Sequence, residues 1–402
     1  MLSSVYVGLT GLLSYSRGLD VISNNVANMN TPGFKKSDLL FQNLMFDQHP
    51  STGDGNRLTF GTGQGVAANQ TTVNYSQGEL RDTNEENAAA IDGNGFFIIR
   101  SDSNTYYSRY GGFEIDDDSY LVSSTNNERI AGINGGELFD INIESYREYD
   151  FTPTSRVSFI DNLSTGSSEH AVENISVVDG FGDIHDLTIN FRNNNSATQG
   201  SWLISVIDNT EDATEVGSGE IRFDTDGSPL AEYNTLNIDL AYDDETSNIE
   251  LFFGEPGSFI GTTSFEEGES SSITVDAVNG TESGALIRTE FNEQGEMLFH
   301  YSNGEEQKGP TLALAWFDDL QQLQQIGNSL FLPETEQSPH IGSAGNGLFG
   351  NIEGGKIELS NVELTLEFSD LIIIQRGYQA SSQILTTSNE IMQQTLDMGS
   401  KR

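Results

Sequence analysis

Residues 5–29 read VYVGLTGLLSYSRGLDVISNNVANM, and Val5, Leu9, Leu12, Leu19, Ile22, Val26 and Met29 fall at spacings of 4, 3, 7, 3, 4 and 3. That is a heptad-like stripe, as in a helix that buries one face. Near the other end Leu364, Phe368, Leu371, Tyr378, Leu385, Met392 and Leu396 repeat it at spacings of 4, 3, 7, 7, 7 and 4. Two amphipathic helices therefore bracket the chain. Thr31, Pro32 and Gly33 are expected to end the first, and Ser360 with Glu363 offers a capping box for the second. On pattern alone, the stripes suit a hairpin within one chain as well as packing between copies.

Gly8, Gly11 and Gly18 lie inside the first helix, and each costs about 1 kcal/mol relative to alanine. Such a helix is marginal alone and gains its stability from the C-terminal helix and from neighbouring copies. Both termini are therefore expected to be disordered in a free monomer.

Working inward, the pattern changes to β. Runs over residues 95–100, 186–191, 201–207 and 249–253 are bounded by turn pairs such as Asp92-Gly93, Asp226-Gly227, Asn279-Gly280 and Asn303-Gly304, the punctuation of strands. No helical period of comparable length and no regular repeat interrupts them. The fold class expected is mainly β with terminal α-helices: a coiled-coil-like pair of ends, with β-domains inserted between. The expected division is a terminal helical domain (1–30 with 361–402), a connector (31–70 with 340–360), an inner β-domain (71–149 with 301–339) and an outer acidic β-domain (150–300).

Charge follows the same division. The 402 residues hold 61 acidic and 18 basic side chains, a formal net charge of -43. Residues 1–40 carry Asp20 and Asp38 against Arg17, Lys35 and Lys36, whereas residues 150–300 carry 29 acids against Arg156, Arg192, Arg222 and Arg288. The ends can approach without like-charge repulsion, and the middle faces water. Such an excess of carboxylates disfavours nucleic acid and anionic membrane surfaces as partners. A wet acidic surface without large apolar patches would also allow small sliding movements between neighbours.

Cysteine is absent, which excludes disulfides, zinc-thiolate sites and thiol nucleophiles. The first thirty residues lack a basic n-region and an unbroken apolar h-region, so no cleaved secretory signal is expected. No run of about 18 apolar residues suggests a membrane span.

Patterns that could carry chemistry have simpler readings. Asp116, Asp117 and Asp118 with Asp102 supply oxygen atoms, but not at EF-hand spacing, and read as a solvated turn. Asp243, Asp244 and Glu245, and Glu266, Glu267 and Glu269, could serve as paired glycosidase carboxylates, yet adjacent acids are expected by chance in so acidic a chain. Histidines 49, 170, 185, 300 and 340 show no ligand spacing and read as surface or turn residues. Gly-rich residues 61–65 lack a following Lys-Ser/Thr and are not a phosphate loop. Trp202 and Trp316 read as core anchors. No catalytic residue, metal site or cofactor is expected.

Residues 18–36, GLDVISNNVANMNTPGFKK, resemble the signature of flagellar rod and hook axial proteins. Asn24, Asn25, Asn28, Gly33 and Phe34 carry the likeness. Residues 360–398, SNVELTLEFSDLIIIQRGYQASSQILTTSNEIMQQTLDM, are similar to the C-terminal helix of that family through Ser360, Asn361, Gln375, Arg376 and Tyr378. Residues 91–113 look like its first β-domain. Residues 177–191, Trp202 and residues 223–227 look like the outer domain of hook subunits, which short rod proteins lack. One departure is a long stretch from 33 to 63, closer to the distal rod connector; it bears on residues 45–62.

The resemblance implies a helical homopolymer whose terminal helices line an export channel and whose β-domains form the outside. It implies a flexible joint between motor rod and filament. The partners it implies are rod, hook cap and hook-filament junction proteins, with type III export to the cell exterior. Subunit packing would then fall to Val5, Leu9, Leu12, Leu19, Ile22, Val26, Leu364, Phe368, Leu371, Tyr378, Leu385, Met392 and Leu396. The competing readings are a distal rod subunit and an unrelated extracellular enzyme or adhesin.

Overall fold

The computed structural model describes residues 2–44, 46–49, 60–101, 104–210, 213–242, 245–334 and 337–400. The chain forms two compact units: Met1–Ser145, Arg288–Phe299 and Gln307–Arg402 make the first, and Tyr146–Ile287 with His300–Glu306 the second. Asp102, Asp243 and Asp244 lie outside the described residues, as do residues 45 and 50–59 of the long connector.

The first unit holds both helices, α1 (Leu2–Ala27) and α2 (Leu364–Ser400). Helix α1 stops at Ala27, earlier than the Thr-Pro-Gly breaker, because Asn28 turns back and its Nδ2 donates to the Asn24 carbonyl at 3.0 Å. Gly33 then takes φ +69, where an added Cβ would meet the Tyr110 backbone nitrogen at 2.7 Å. Both the left-handed conformation and the close approach require glycine.

The capping box is not formed. Helix α2 begins at Leu364, the Glu363 carbonyl accepts from Leu366 and Glu367 at 3.1 and 3.0 Å, and Ser360 Oγ accepts only from Val362 N at 3.4 Å. Asn361 explains the delay. Its amide is held by the Asn74 and Ser76 carbonyls at 2.8 and 3.0 Å, so the chain cannot turn into a helix there.

Strands Ser37–Asn43 and Val66–Val73 form an antiparallel ribbon, continued by Phe46–His49 against Phe60–Gly63. The ribbon lies along α1: Arg17 Nη1 donates to the Ala68 carbonyl at 2.9 Å and to Asn69 Oδ1, and Ser14 Oγ to the Val66 carbonyl at 3.3 Å. Two short ladders, Leu80–Asp82 with Lys356–Glu358 and Ala89–Asp92 with Asn351–Gly354, bring the two halves of the chain side by side ahead of α2.

The apolar run Phe96–Arg100 is the middle of the larger sheet, flanked by Thr105–Ser108, Arg129–Asn134 and Leu314–Trp316. Phe96, Ile98, Tyr107, Phe317 and Phe331 form its core, with Tyr107 and Phe317 edge to face at 4.8 Å, a favoured aromatic geometry. Trp316, at the end of Leu314–Trp316, is only half-buried and is not among the buried residues of this core, so it is not the anchor expected of it.

The second unit is a β-sandwich. An antiparallel meander, Glu169–Val178, Ile184–Asn193, Ser201–Asp208 and Thr214–Arg222, forms one sheet. The other contains Thr235–Tyr242, Glu245–Phe252 and Arg156–Asn162, with Arg156–Ser158 parallel to residues 250–252. Alternation aims Leu187, Ile189, Phe191, Trp202, Ile204 and Val206 at Val157, Phe159, Ile238, Leu240, Ile249 and Leu251, the period of a half-buried strand. Trp202 is fully buried there.

Two expectations for this unit need correction. His185 is 5% exposed, not a surface residue: its Nδ1 lies 2.6 Å from Asp208 Oδ2 and its Nε2 3.6 Å from Asp179 Oδ2. The acidic surface also carries an apolar patch, for Phe259 and Phe265 stack 6.1 Å apart beside Ile260, which is 88% exposed. Asp116 Oδ1 accepts the amides of Asp118 and Tyr120 at 3.0 and 2.7 Å, so that carboxylate is engaged in its own turn.

Candidate functional site: a helix pair and its buried polar base

The two helices run antiparallel. Gly8 of α1 faces Ile384 and Leu385, Gly11 faces Ser381, Tyr15 lies on Gly377, and Gly18 faces Ile374. Buried positions on α1 are Gly8, Gly11, Ser14, Gly18, Ile22 and Asn25, at helical spacings of 3, 3, 4, 4 and 3. The glycines that looked costly in an isolated helix are the surface on which α2 rests. Small side chains let the backbones approach, and the packing gained offsets the loss in propensity.

This close approach divides the predicted packing residues. Ile22 is buried, and Val5, Leu12, Leu19, Val26, Leu364, Leu371, Leu385 and Met392 are half-buried within the chain. Leu9, Phe368, Tyr378 and Leu396 point outward, exposed by 45, 51, 36 and 68%. Tyr6, Leu13, Leu366, Ile372, Ile373, Ile384, Ile391 and Met398 join them, each at least 45% exposed. Covering such half-exposed side chains is worth about 1 kcal/mol apiece.

The family-motif residues sit at the base of the pair. Asn25, 2% exposed, donates to the Ser37 carbonyl at 2.9 Å and accepts the Ser37 amide at 3.0 Å, then reaches Glu367 Oε2 of α2 at 3.1 Å. Asn361 Oδ1 accepts the Lys36 amide at 2.8 Å. Phe34 is buried at 5%, whereas Asn24, Gln375 and Arg376 are exposed and Asn28 and Ser360 half-buried. Gln375, Arg376 and Tyr378 thus take no part in the base.

Beneath Asn25 lies a buried ion pair that sequence reasoning missed. Lys35 Nζ is 2.6 Å from Glu358 Oε1, with both side chains fully buried. The ammonium also donates to the Ser76 carbonyl at 2.7 Å, the carboxylate accepts the Gly78 amide at 2.8 Å, and Arg109 Nη1 lies 3.6 Å from Glu358 Oε2. Burial pushes the Lys35 ammonium below its ordinary value, against the pull of Glu358, while Arg109 pushes the same way. Lys36, 3.6 Å from Glu367 Oε1, adds a second cation at the start of α2. Hydrogen bonds and opposite charges thus join the end of α1, the last strand before α2, and α2 itself.

Comparisons with known proteins follow the same segments. Residues 6–35 match the family described as flagella basal body rod protein, residues 90–157 the flagellar hook protein FlgE/F/G D1 domain, and residues 353–398 the flagellar basal body rod FlgEFG protein C-terminal region. Flagellar hook protein FlgE of Borreliella burgdorferi is 28% identical over 98% of this chain and 99% of its own length. That of Salmonella typhimurium is 25% identical over 96% and 97%. A crystal structure of Helicobacter pylori flagellar hook protein FlgE2 aligns with a TM-score of 0.45 at 12% identity, covering 68% of this chain and 99% of that one. With family matches at both ends and over residues 90–157, and hook-protein relatives aligned along nearly its whole length, these likenesses support a flagellar hook protein.

Proposed function

We propose that the chain polymerises with copies of itself into the tube of the flagellar hook, the helix pairs forming the inner wall around an export channel and the acidic β-sandwich facing outward. The role is mechanical: a flexible joint between motor rod and filament, outside the cell. Rod, hook cap and hook-filament junction proteins are its partners at the two ends of the tube. The terminal helices, connector, inner β-domain and outer domain correspond to successive layers of that wall.

One observation carries this reading. The helices settle on each other through Gly8, Gly11, Gly18 and Gly377 and leave their large apolar residues, Ile373 at 63% and Phe368 at 51% among them, in solvent. A helix pair meant only to complete its own fold would bury them instead. Ile373→Asp with Phe368→Asp should leave the monomer folded and soluble but abolish tubes in negative-stain images. Tubes at the parent's concentration would rule out this packing.

A further inference from the structure

Independently of how copies pack, we infer that the first unit carries a binding site for a small monocarboxylate with a planar apolar body, in the cavity lined by Arg109, Phe96, Tyr75 and Trp316. The cavity measures about 480 Å³, within the range of small-molecule sites, and its whole lining belongs to the first unit. Charge points to an anion. The side chains of Lys35, Arg109 and Glu358 are 0, 4 and 0% exposed, and they set two cations against one carboxylate. Among the described residues no other carboxylate comes within ion-pair reach of either cation. One positive charge is thus left without a counter-charge inside the fold, which is strongly destabilising. Burial lowers the pKa of both cations, with Glu358 pulling against it.

Arg109 also supplies a donor. Its Nη2 donates to the Gly93 carbonyl at 2.6 Å and its Nη1 to the Ile91 carbonyl at 3.4 Å, but the buried Nε has no acceptor in the chain. Buried donors are rarely left unpaired, because the lost hydration is not replaced. The guanidinium carbon lies 5.4 Å from the centroid of the Phe96 ring, so the cation stands against one aromatic wall of the cavity. Tyr75 and Trp316 are half-buried, as is Leu320, which also lines it. A carboxylate answers the guanidinium through charge-assisted hydrogen bonds, and a planar apolar body suits the rings. A dianion such as phosphate suits the site less well. It would exceed the single surplus charge and meet Asp38, which lines the cavity as well.

The test is titration of the full chain, in a Trp202→Phe background, with benzoate, benzamide, acetate and inorganic phosphate, followed by the fluorescence of Trp316. Benzoate should bind saturably and raise the urea midpoint of the first unit. Benzamide has the same shape without the charge, and acetate the charge without the ring; both, and phosphate, should bind at least about tenfold more weakly. Arg109→Gln should abolish benzoate binding. Should that variant fail to fold, Lys35→Met decides: it removes the surplus charge, leaves Arg109 in place, and should weaken benzoate at least about fivefold. Asp38→Asn should tighten it. Benzamide or phosphate binding as tightly as benzoate, no saturable change with benzoate, or Lys35→Met binding it like the parent would each overturn the site.

Discussion

Replacing Glu358 by glutamine removes the charge that balances a fully buried ammonium while keeping the side chain's shape. Lys35 retains the Ser76 carbonyl at 2.7 Å and little else, and Arg109, 3% exposed, loses its nearest anion. Breaking one side of a buried pair costs about 3–5 kcal/mol. Lys35→Met should cost less, because Glu358 keeps the Gly78 amide and Arg109. The double variant Lys35→Met/Glu358→Gln should be more stable than Glu358→Gln alone, since no unbalanced ammonium remains. The two tryptophans fall one in each unit, Trp316 in the first and Trp202 in the second. Urea unfolding in a Trp202→Phe background, followed by Trp316 fluorescence, therefore reports the first unit. With a slope of about 2 kcal/mol per molar, the midpoint should fall by roughly 1.5–2.5 M for Glu358→Gln. A fall below about 0.5 M, or a double variant as weak as Glu358→Gln, would refute a stabilising role for the buried Lys35–Glu358 pair.

Gly377→Ala should lower the same midpoint. Its methyl would meet Tyr15 Cζ at 2.5 Å, and overpacking of about 1–3 kcal/mol exceeds the roughly 1 kcal/mol gained in helix propensity. At Gly18 the methyl meets only the flexible tip of Ile374, so Gly18→Ala should be neutral or stabilising; the reverse order would contradict the packing described. In the second unit, burial raises the Asp208 carboxyl, but hydrogen bonds from Thr210 and His185 outweigh it and leave its pKa lowered. Arg222 and Ser201 lower Glu220. Depressed folded-state values give stability that is present above the unfolded pKa of about 4 and lost as pH falls through the folded value. Trp202 fluorescence should report a falling unfolding midpoint between about pH 5 and pH 3, with a shallower fall in Asp208→Asn; an identical slope would exclude Asp208 as a source. Subunits with a net charge of -43 repel one another, and the Debye length is about 30 Å at 0.01 M salt against about 8 Å at 0.15 M. Tube formation should therefore weaken sharply at low salt, and a polymerisation yield unchanged from roughly 10 mM to 0.5 M would count against that.

The helices were legible because their apolar residues keep a heptad-like period, and Phe96–Arg100 and Ser201–Asp208 because aromatic and β-branched residues end at turn signals. The contact face of the helix pair was not. Glycine has no apolar side chain to register in a periodicity, so the stripe of leucines stood out while the surface that touches α2 went unread. Lys35 and Glu358 are 323 positions apart, and nothing local in Lys356–Glu358 marks its last residue as half of an ion pair. The capping box failed for a similar reason, since Asn361 is captured by carbonyls at Asn74 and Ser76. His185 has no sequence neighbour to suggest burial; strand register brings Asp208 beside it.

The central claim is that helices joined through small residues present their large apolar residues to other copies. An electron cryomicroscopy reconstruction of tubes assembled from the full chain tests it most directly. The predicted result is a wall whose innermost layer is α1 and α2, with Phe368, Ile373 and Leu396 buried against neighbouring copies. A tube lined by the acidic sandwich, or one in which those three side chains remain in solvent, would contradict it.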